Sequence, residues 1–394
     1  MSEASLHPPP RVLMGPGPSE VHPRVLAAMS RPLISHFDPV CFRLLDEIRA
    51  LLQYVFQTRN EVTFVVSGPG TAGMETCVAN LVEPGDKVIV CQNGFFGGRI
   101  REMVERHGGV AVPVEDEWGR PVDPEKLESA LRRHPDAKVV AFVHAETSTG
   151  VLSDAATLAE IAHRYGCLTL VDTVTSLGGV PVKVDEWGLD AVYSGSQKCL
   201  SAPPGLSPVT FSDRAMDVIR RRKTPVASFF LDVQALADYW IGRSPGPATP
   251  HGTGSACCVP NASRTYHHTV PIPLLYAIHE ALTLLREEGL ENAWARHRDN
   301  YRRLRVGLEA MDLTYWVSSE ADRIPHLNAL RVPEGVDDAR VRQRLLEDFG
   351  IEIGAGLGAL AGRIWRVGLM GYGSHPRNVA YFLSALREVL ARAS

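Results

Sequence analysis

The chain has no apolar run approaching the ~20 residues of a membrane span. Its opening, MSEASLHPPPRVLM, lacks the basic segment and the apolar core of a secretory signal. The expectation is a soluble cytoplasmic protein with no membrane partner. Its seven cysteines include no C-x-x-C pair, and the adjacent Cys257 and Cys258 cannot close an unstrained bridge, so reduced core thiols are expected rather than a disulfide framework. Fourteen histidines show no H-E-x-x-H spacing, and the neighbours His267 and His268 do not make a metal site, so no metal is expected. A formal net charge of −4 gives no reason for nucleic-acid binding, and the one basic run, Arg220 to Lys223, reads as the solvated end of a helix. Internal repeats and low-complexity tracts are absent as well.

What is present is a chain of 394 residues, 45% hydrophobic and 22% charged, long enough for one large domain and a second smaller one. From about residue 60 to 215, β-branched runs alternate with amphipathic stretches, the pattern of an α/β fold with a mostly parallel sheet. VDPEKLESALRRH opens with Asp123 as N-cap and Pro124 in the first helical position. AATLAEIAHRYG closes on Gly166, and CLTLVD reads as a buried strand ending at Asp172. LDAVYS and SPVTFS read as two more strands flanking the loop GSQKCLSAPPG. Beyond residue 240, GRSPGPATPHGTGS is a Pro/Gly-rich connection, followed by one long helical stretch from about Pro273 to Met311. Strands near HLNALRV and RIWRVGLM then alternate with helices near DDARVRQRLLEDFG and NVAYFLSALREVLAR. The expected organisation is an N-terminal arm over 1–20, a large domain over 21–265 and a small C-terminal α+β domain over 266–394, entered by the long helix.

Within SGPGTAGME, residues 67 to 75, the letters GPGTAG fit the dinucleotide fingerprint G-x-G-x-x-G, with a strand-like EVTFVV ahead and a helix-like run behind. The acid that should hold a ribose hydroxyl is missing, because KVIVCQNG ends in Cys91, Gln92 and Asn93. A dinucleotide is therefore disfavoured. Amides at a helix N-terminus, with the Thr71 hydroxyl, facing an anion such as phosphate remain. Lysine is scarce, at six of the 41 basic residues. Five of the six suit solvated positions, whereas Lys198 lies among small residues and a proline pair in YSGSQKCLSAPPG. Such a loop desolvates the amine, lowers its pKa and makes it nucleophilic, a use arginine cannot serve. An anion cradle, a carboxylate at a strand end and a reactive amine are together what pyridoxal 5′-phosphate needs for its phosphate, its ring nitrogen and its aldehyde.

On these residues the chain resembles the class V aminotransferases, most closely the alanine–glyoxylate and serine–pyruvate group. The resemblance runs from GPGPS to WRVGLMGYG, and LVDTVTSLGG and YSGSQKCLSAPPG are its most specific pieces. It implies the type I pyridoxal-phosphate fold. Lys198 would form the internal aldimine, Asp172 would hold the pyridine nitrogen, and Gly70, Thr71 and Gln197 would bind phosphate. Pro69 replaces a serine usual in that cradle. Phe96 would stack on the ring, Val174 press on its other face, and Thr147 bond near the ring hydroxyl. Tyr266 and Thr269, in YHHT, resemble the segment that reaches the phosphate of a neighbouring subunit, which implies a homodimer with shared sites. Arg366 would grip the substrate carboxylate with two parallel hydrogen bonds. The implied reaction is ping-pong transfer of an amino group from alanine or serine to glyoxylate or pyruvate. Its rivals are ureidoglycine–glyoxylate transamination and a same-fold lyase or desulfurase. The latter relatives place histidines over the cofactor and before the lysine, where this chain has Phe96 and Gln197.

Overall fold

The structure, a computed structural model, describes residues 7–242 and 264–392. The Pro/Gly-rich connection from residue 243 onward and the pair Cys257 and Cys258 lie outside the described residues. At the centre is a seven-stranded sheet of β1 (Val62–Ser67), β2 (Lys87–Gln92), β3 (Val110–Glu115), β4 (Ala137–Val143), β5 (Leu168–Asp172), β6 (Ala191–Tyr193) and β7 (Leu206–Phe211). Their spatial order is β1-β7-β6-β5-β4-β2-β3. β7 runs antiparallel to both neighbours, and every other pairing is parallel. The carboxyl ends of β1, β2, β4, β5 and β6 therefore lie along one edge, the place where open α/β sheets bind ligands.

The middle strands are continuous apolar runs because helices cover both faces; all five residues of β5 are buried. Helix formation follows local signals where they are strong. Pro124–Arg133 starts on Asp123, whose side chain accepts from the Glu125 and Lys126 amides. Ala155–Arg164 is followed by Gly166 at φ +78°, a left-handed conformation that a side chain would disfavour. The long helical stretch expected from Pro273 to Met311 is two helices, Ile272–Glu288 and Leu290–Glu309. Gly289, at φ +85°, breaks it: the backbone leaves the right-handed region at a residue without a Cβ, which bears that conformation at no steric cost.

Two main cores form. The first fills both sides of the seven-stranded sheet and takes in Ile272, Leu275, Ile278, Leu282 and Trp294. The second joins Met14, Tyr301, Leu304, Leu330, Trp365, Val367 and Phe382 around the three-stranded antiparallel sheet of Leu327–Arg331, Ile364–Gly368 and Gly354–Ala355. The helix after residue 266 thus packs with the large unit, and the hand-over to the second core falls within Leu290–Glu309. The chain's beginning belongs to the second core too, since Val12–Leu13 pairs in parallel with Ile351–Glu352. Each fully buried Leu, Val or Phe contributes roughly 1.5–3 kcal/mol. Among the described residues no helix is long and apolar enough to cross a membrane, and Cys41, Cys77, Cys91, Cys167 and Cys199 are free and buried.

Candidate active site

A cleft of about 570 Å³, counting its open mouth, lies at the carboxyl edge of the sheet. Gly70, Thr71, Phe96, Thr147, Asp172, Val174, Gln197 and Lys198 all line it. Residues far apart in sequence meet here because β1, β4, β5 and β6 all deliver their following loops to the same edge.

Asp172 is the last residue of β5 and is 3% exposed. Its Oδ2 accepts from the Tyr193 hydroxyl at 2.6 Å, and its Oδ1 accepts from the Val174 amide at 2.8 Å. Burial pushes its carboxyl up to about 6, and these two bonds oppose that rise. Lys198 follows β6. Burial lowers its amine to about 8, and the Arg366 charge adds to the fall. Its Nζ donates to the Pro16 carbonyl, and a Cβ on Gly17, at φ +113°, would overlap the lysine side chain. Ser19 ties down the same loop: its hydroxyl donates to the Lys198 carbonyl at 2.7 Å and its amide to the Gln197 carbonyl at 2.8 Å. The GPGPS segment is thus the floor under the lysine.

Helix Gly70–Leu81 begins at the cleft with Pro69 as N-cap and no side chain capping it. The Ala72 amide donates to the Pro69 carbonyl at 2.7 Å, which leaves the amides of Gly70 and Thr71 for an anion. Gly70 permits close approach of the next segment, since a Cβ there would stand 3.0 Å from Val174 Cγ2. Gln197 Oε1 is buried without a partner beside the same cradle, and a side-chain amide can turn either end toward a ligand. Phe96 is the second residue of helix Phe95–Arg106, and the Arg99 guanidinium lies over both Phe95 and Phe96, 5.2 and 5.1 Å from their ring centres.

Arg366, in strand Ile364–Gly368 and 6% exposed, lies close enough to the cleft for its charge to act on Lys198. Its Nε donates to the Ala355 carbonyl at 2.7 Å and its Nη1 to the Thr147 carbonyl at 3.3 Å. Burial lowers it to about 10, which leaves it a cation at neutral pH. Tyr266 and Thr269 stand apart from the cleft of their own chain: both are exposed, and their hydroxyls are 3.4 Å from each other.

Sequence reasoning missed Tyr193, Arg99, Thr175 and the Pro16 carbonyl. Tyr193 faces Asp172 across the β5–β6 register, which pairs the two residues directly. Strand register over that separation leaves no local sign. Arg99 carries a helical spacing signal from Phe95 and Phe96, an i+4 and i+3 neighbour of each, but it was one arginine among 35.

The residues fit pyridoxal phosphate. Uncapped amides suit a phosphate, a buried carboxylate suits a ring nitrogen, and a lysine near neutrality suits an aldehyde. Fold and site together define a pyridoxal-phosphate enzyme of the type I fold. The class-V aminotransferase model matches residues 13–361. Alanine–glyoxylate aminotransferase of Callithrix jacchus is 41% identical over 382 residues, 97% of this chain and 88% of that protein. The (S)-ureidoglycine–glyoxylate transaminase of Bacillus subtilis is 37% identical over 402 residues, 98% of this chain and 91% of that protein. The crystal structure of alanine–glyoxylate aminotransferase from a Nostoc species superposes with a TM-score of 0.92 at 45% identity, covering 99% of this chain and 98% of that one. The chain belongs to the class-V aminotransferases.

Proposed function

We propose that the protein moves an amino group from alanine or serine to glyoxylate or pyruvate in two half-reactions, the first keto acid leaving before the second binds. The observation that carries this reading is the single cleft shared by Lys198 and Asp172, with the Arg366 charge near enough to depress the lysine. Bound pyridoxal phosphate supplies an aldehyde carbon and a ring that draws electrons from the reacting carbon. Lys198 Nζ, close to neutrality, takes the proton from the amino acid's Cα and, in the second half-reaction, returns one to the Cα of the new amino acid. Arg366 holds the α-carboxylate, which fixes the face from which Nζ reaches that proton.

Asp172 would hold the cofactor's ring nitrogen and stay ionised against it if that nitrogen is protonated, because an opposite charge outweighs its desolvation. Phe96 and Val174, which line the cleft, would cover the cofactor ring and exclude water, and Thr147 would bond near the ring hydroxyl. Gly70, Thr71 and Gln197 take the phosphate, helped by Tyr266 and Thr269 of a second copy, so the working form is a cytoplasmic homodimer with shared sites. Transfer from ureidoglycine is the second reading, supported by the 37% identity to the Bacillus subtilis enzyme. A lyase or desulfurase is disfavoured by Phe96 and Gln197 where such enzymes place histidines.

The test is a donor panel. Purified yellow protein is mixed with alanine, serine, ureidoglycine and cysteine, and bleaching is followed before glyoxylate or pyruvate is added. Bleaching by alanine or serine with colour restored by either keto acid supports the proposal. Bleaching by ureidoglycine alone, or sulfide released from cysteine, selects the corresponding rival.

A further inference from the structure

Glu146 is buried beside the cleft without lining it, fully shielded at the end of the short strand Ala145–Glu146. Its Oε1 accepts from the Ser148 amide at 3.0 Å and from the Ser148 hydroxyl at 2.6 Å. Its Oε2 accepts from the Phe96 amide at 3.0 Å. The Ser148 oxygen itself accepts the Phe95 amide at 2.9 Å, so its single hydrogen is committed to Glu146. Two backbone amides and a hydroxyl donate to the carboxylate, the environment an ionised carboxylate requires, while the Asp172 charge lies near enough to repel it. Burial pushes the Glu146 carboxyl up, and the bonds from Ser148, Phe96 and Gly97 pull it back.

Helix Phe95–Arg106 has Gly94 as N-cap and no capping side chain of its own. Glu146 caps it from another element. The fit is close, because a Cβ on Gly94 would overlap both the Glu146 carboxylate and the Ser148 hydroxyl. Two pieces of the site hang from this one side chain. Phe96 is the second residue of the capped helix, and Thr147, next to Glu146, offers its carbonyl to Arg366 Nη1. The Glu146 charge also acts directly on Arg366, favouring the cation against burial.

We infer that Glu146 is a positioning residue that locks the ring-covering Phe96 and the carboxylate-binding Arg366 into one unit, so that cofactor affinity and substrate affinity depend on it together. The inference rests on the roles given to Phe96 and Arg366 above. Glu146→Gln keeps the volume but turns an amide NH2 toward backbone N–H groups, removing acceptors without opening a cavity.

The experiment titrates pyridoxal phosphate into resolved wild type, Glu146→Gln, Ser148→Ala and Thr210→Val, and measures KM and kcat for the donor on the reconstituted enzymes. Thr210→Val is the control for general destabilisation, since it breaks a buried hydroxyl pair with Thr63 that is remote from the cleft. Glu146→Gln should raise the cofactor Kd and the donor KM together by about tenfold, as expected for lost hydrogen bonds to a charged group, with kcat much less changed. Ser148→Ala should raise both in the same direction by a smaller factor. Thr210→Val should lower the melting temperature and leave both constants alone. Wild-type values in both Glu146→Gln and Ser148→Ala, or an equal rise in Thr210→Val, would overturn the inference. A wild-type protein that takes up no pyridoxal phosphate would instead overturn the reading beneath it.

Discussion

Helices Gly70–Leu81 and Pro124–Arg133 flank the same sheet, and they begin in opposite ways. The second has every local device: Asp123 accepts two amides, Pro124 follows, Glu125 sits in the first turn, and Arg132 and Arg133 sit in the last. The first has Pro69 for a cap, no side-chain bond and no acid in its first turn. An N-terminus left open at the edge of a core is a cost unless something else supplies the acceptor. The same edge carries a carboxyl raised to about 6 and an amine lowered to about 8. Helix Ile272–Glu288, away from the cleft, also starts on a proline with no side-chain cap, so what sets the cleft edge apart is the open helix end together with the shifted acid and amine.

The comparison breaks most visibly at the amine. Lys198→Ala should lose at least ~10³-fold in transamination, since one residue serves as both nucleophile and proton carrier, and should lose its bleaching by donor; steady-state assay and absorbance check this. Asp172→Asn should cost on the order of 10²-fold in kcat, the scale of one lost electrostatic stabiliser, while the fold melts near the wild-type temperature.

The pH dependence sharpens the contrast further. With the Lys198 amine at about 8, lowering pH protonates it, so the rate of cofactor capture by resolved protein should fall roughly tenfold per pH unit below 8 and level off above. Arg366→Gln removes a positive charge that depresses the lysine, so the midpoint should move upward; stopped-flow absorbance across pH 6 to 10 reads both curves. Pro69→Ser gives the open helix a hydroxyl and should tighten cofactor binding by a few fold, measured by titration, on the scale of one neutral hydrogen bond. Asp123→Ala should be silent in every kinetic constant and cost ~1 kcal/mol of stability in denaturant unfolding. A kinetic effect of Asp123→Ala would show that the two helices are not functionally distinct.

Where sequence alone succeeded, the signal was local. The N-cap at Asp123, Gly166 just past helix Ala155–Arg164 and the buried strand ending at Asp172 each announce themselves within a few residues. The cleft was half readable for the same reason, because Gly70 and Thr71 sit in one motif and Gln197 and Lys198 in another. The partners of those residues were not readable. Tyr193 reaches Asp172 through strand register, Pro16 reaches Lys198 across 182 positions, and Glu146 caps a helix that begins 51 residues earlier in the chain. Gly289 was visible as a letter, but its effect depended on a backbone conformation that helical spacing on both sides concealed.

The most direct test of the account is borohydride reduction of the yellow protein followed by peptide mass mapping. The account predicts a pyridoxyl mass on the peptide containing Lys198 and on no other lysine; an unmodified Lys198 peptide, or the mass on a different lysine, would contradict it.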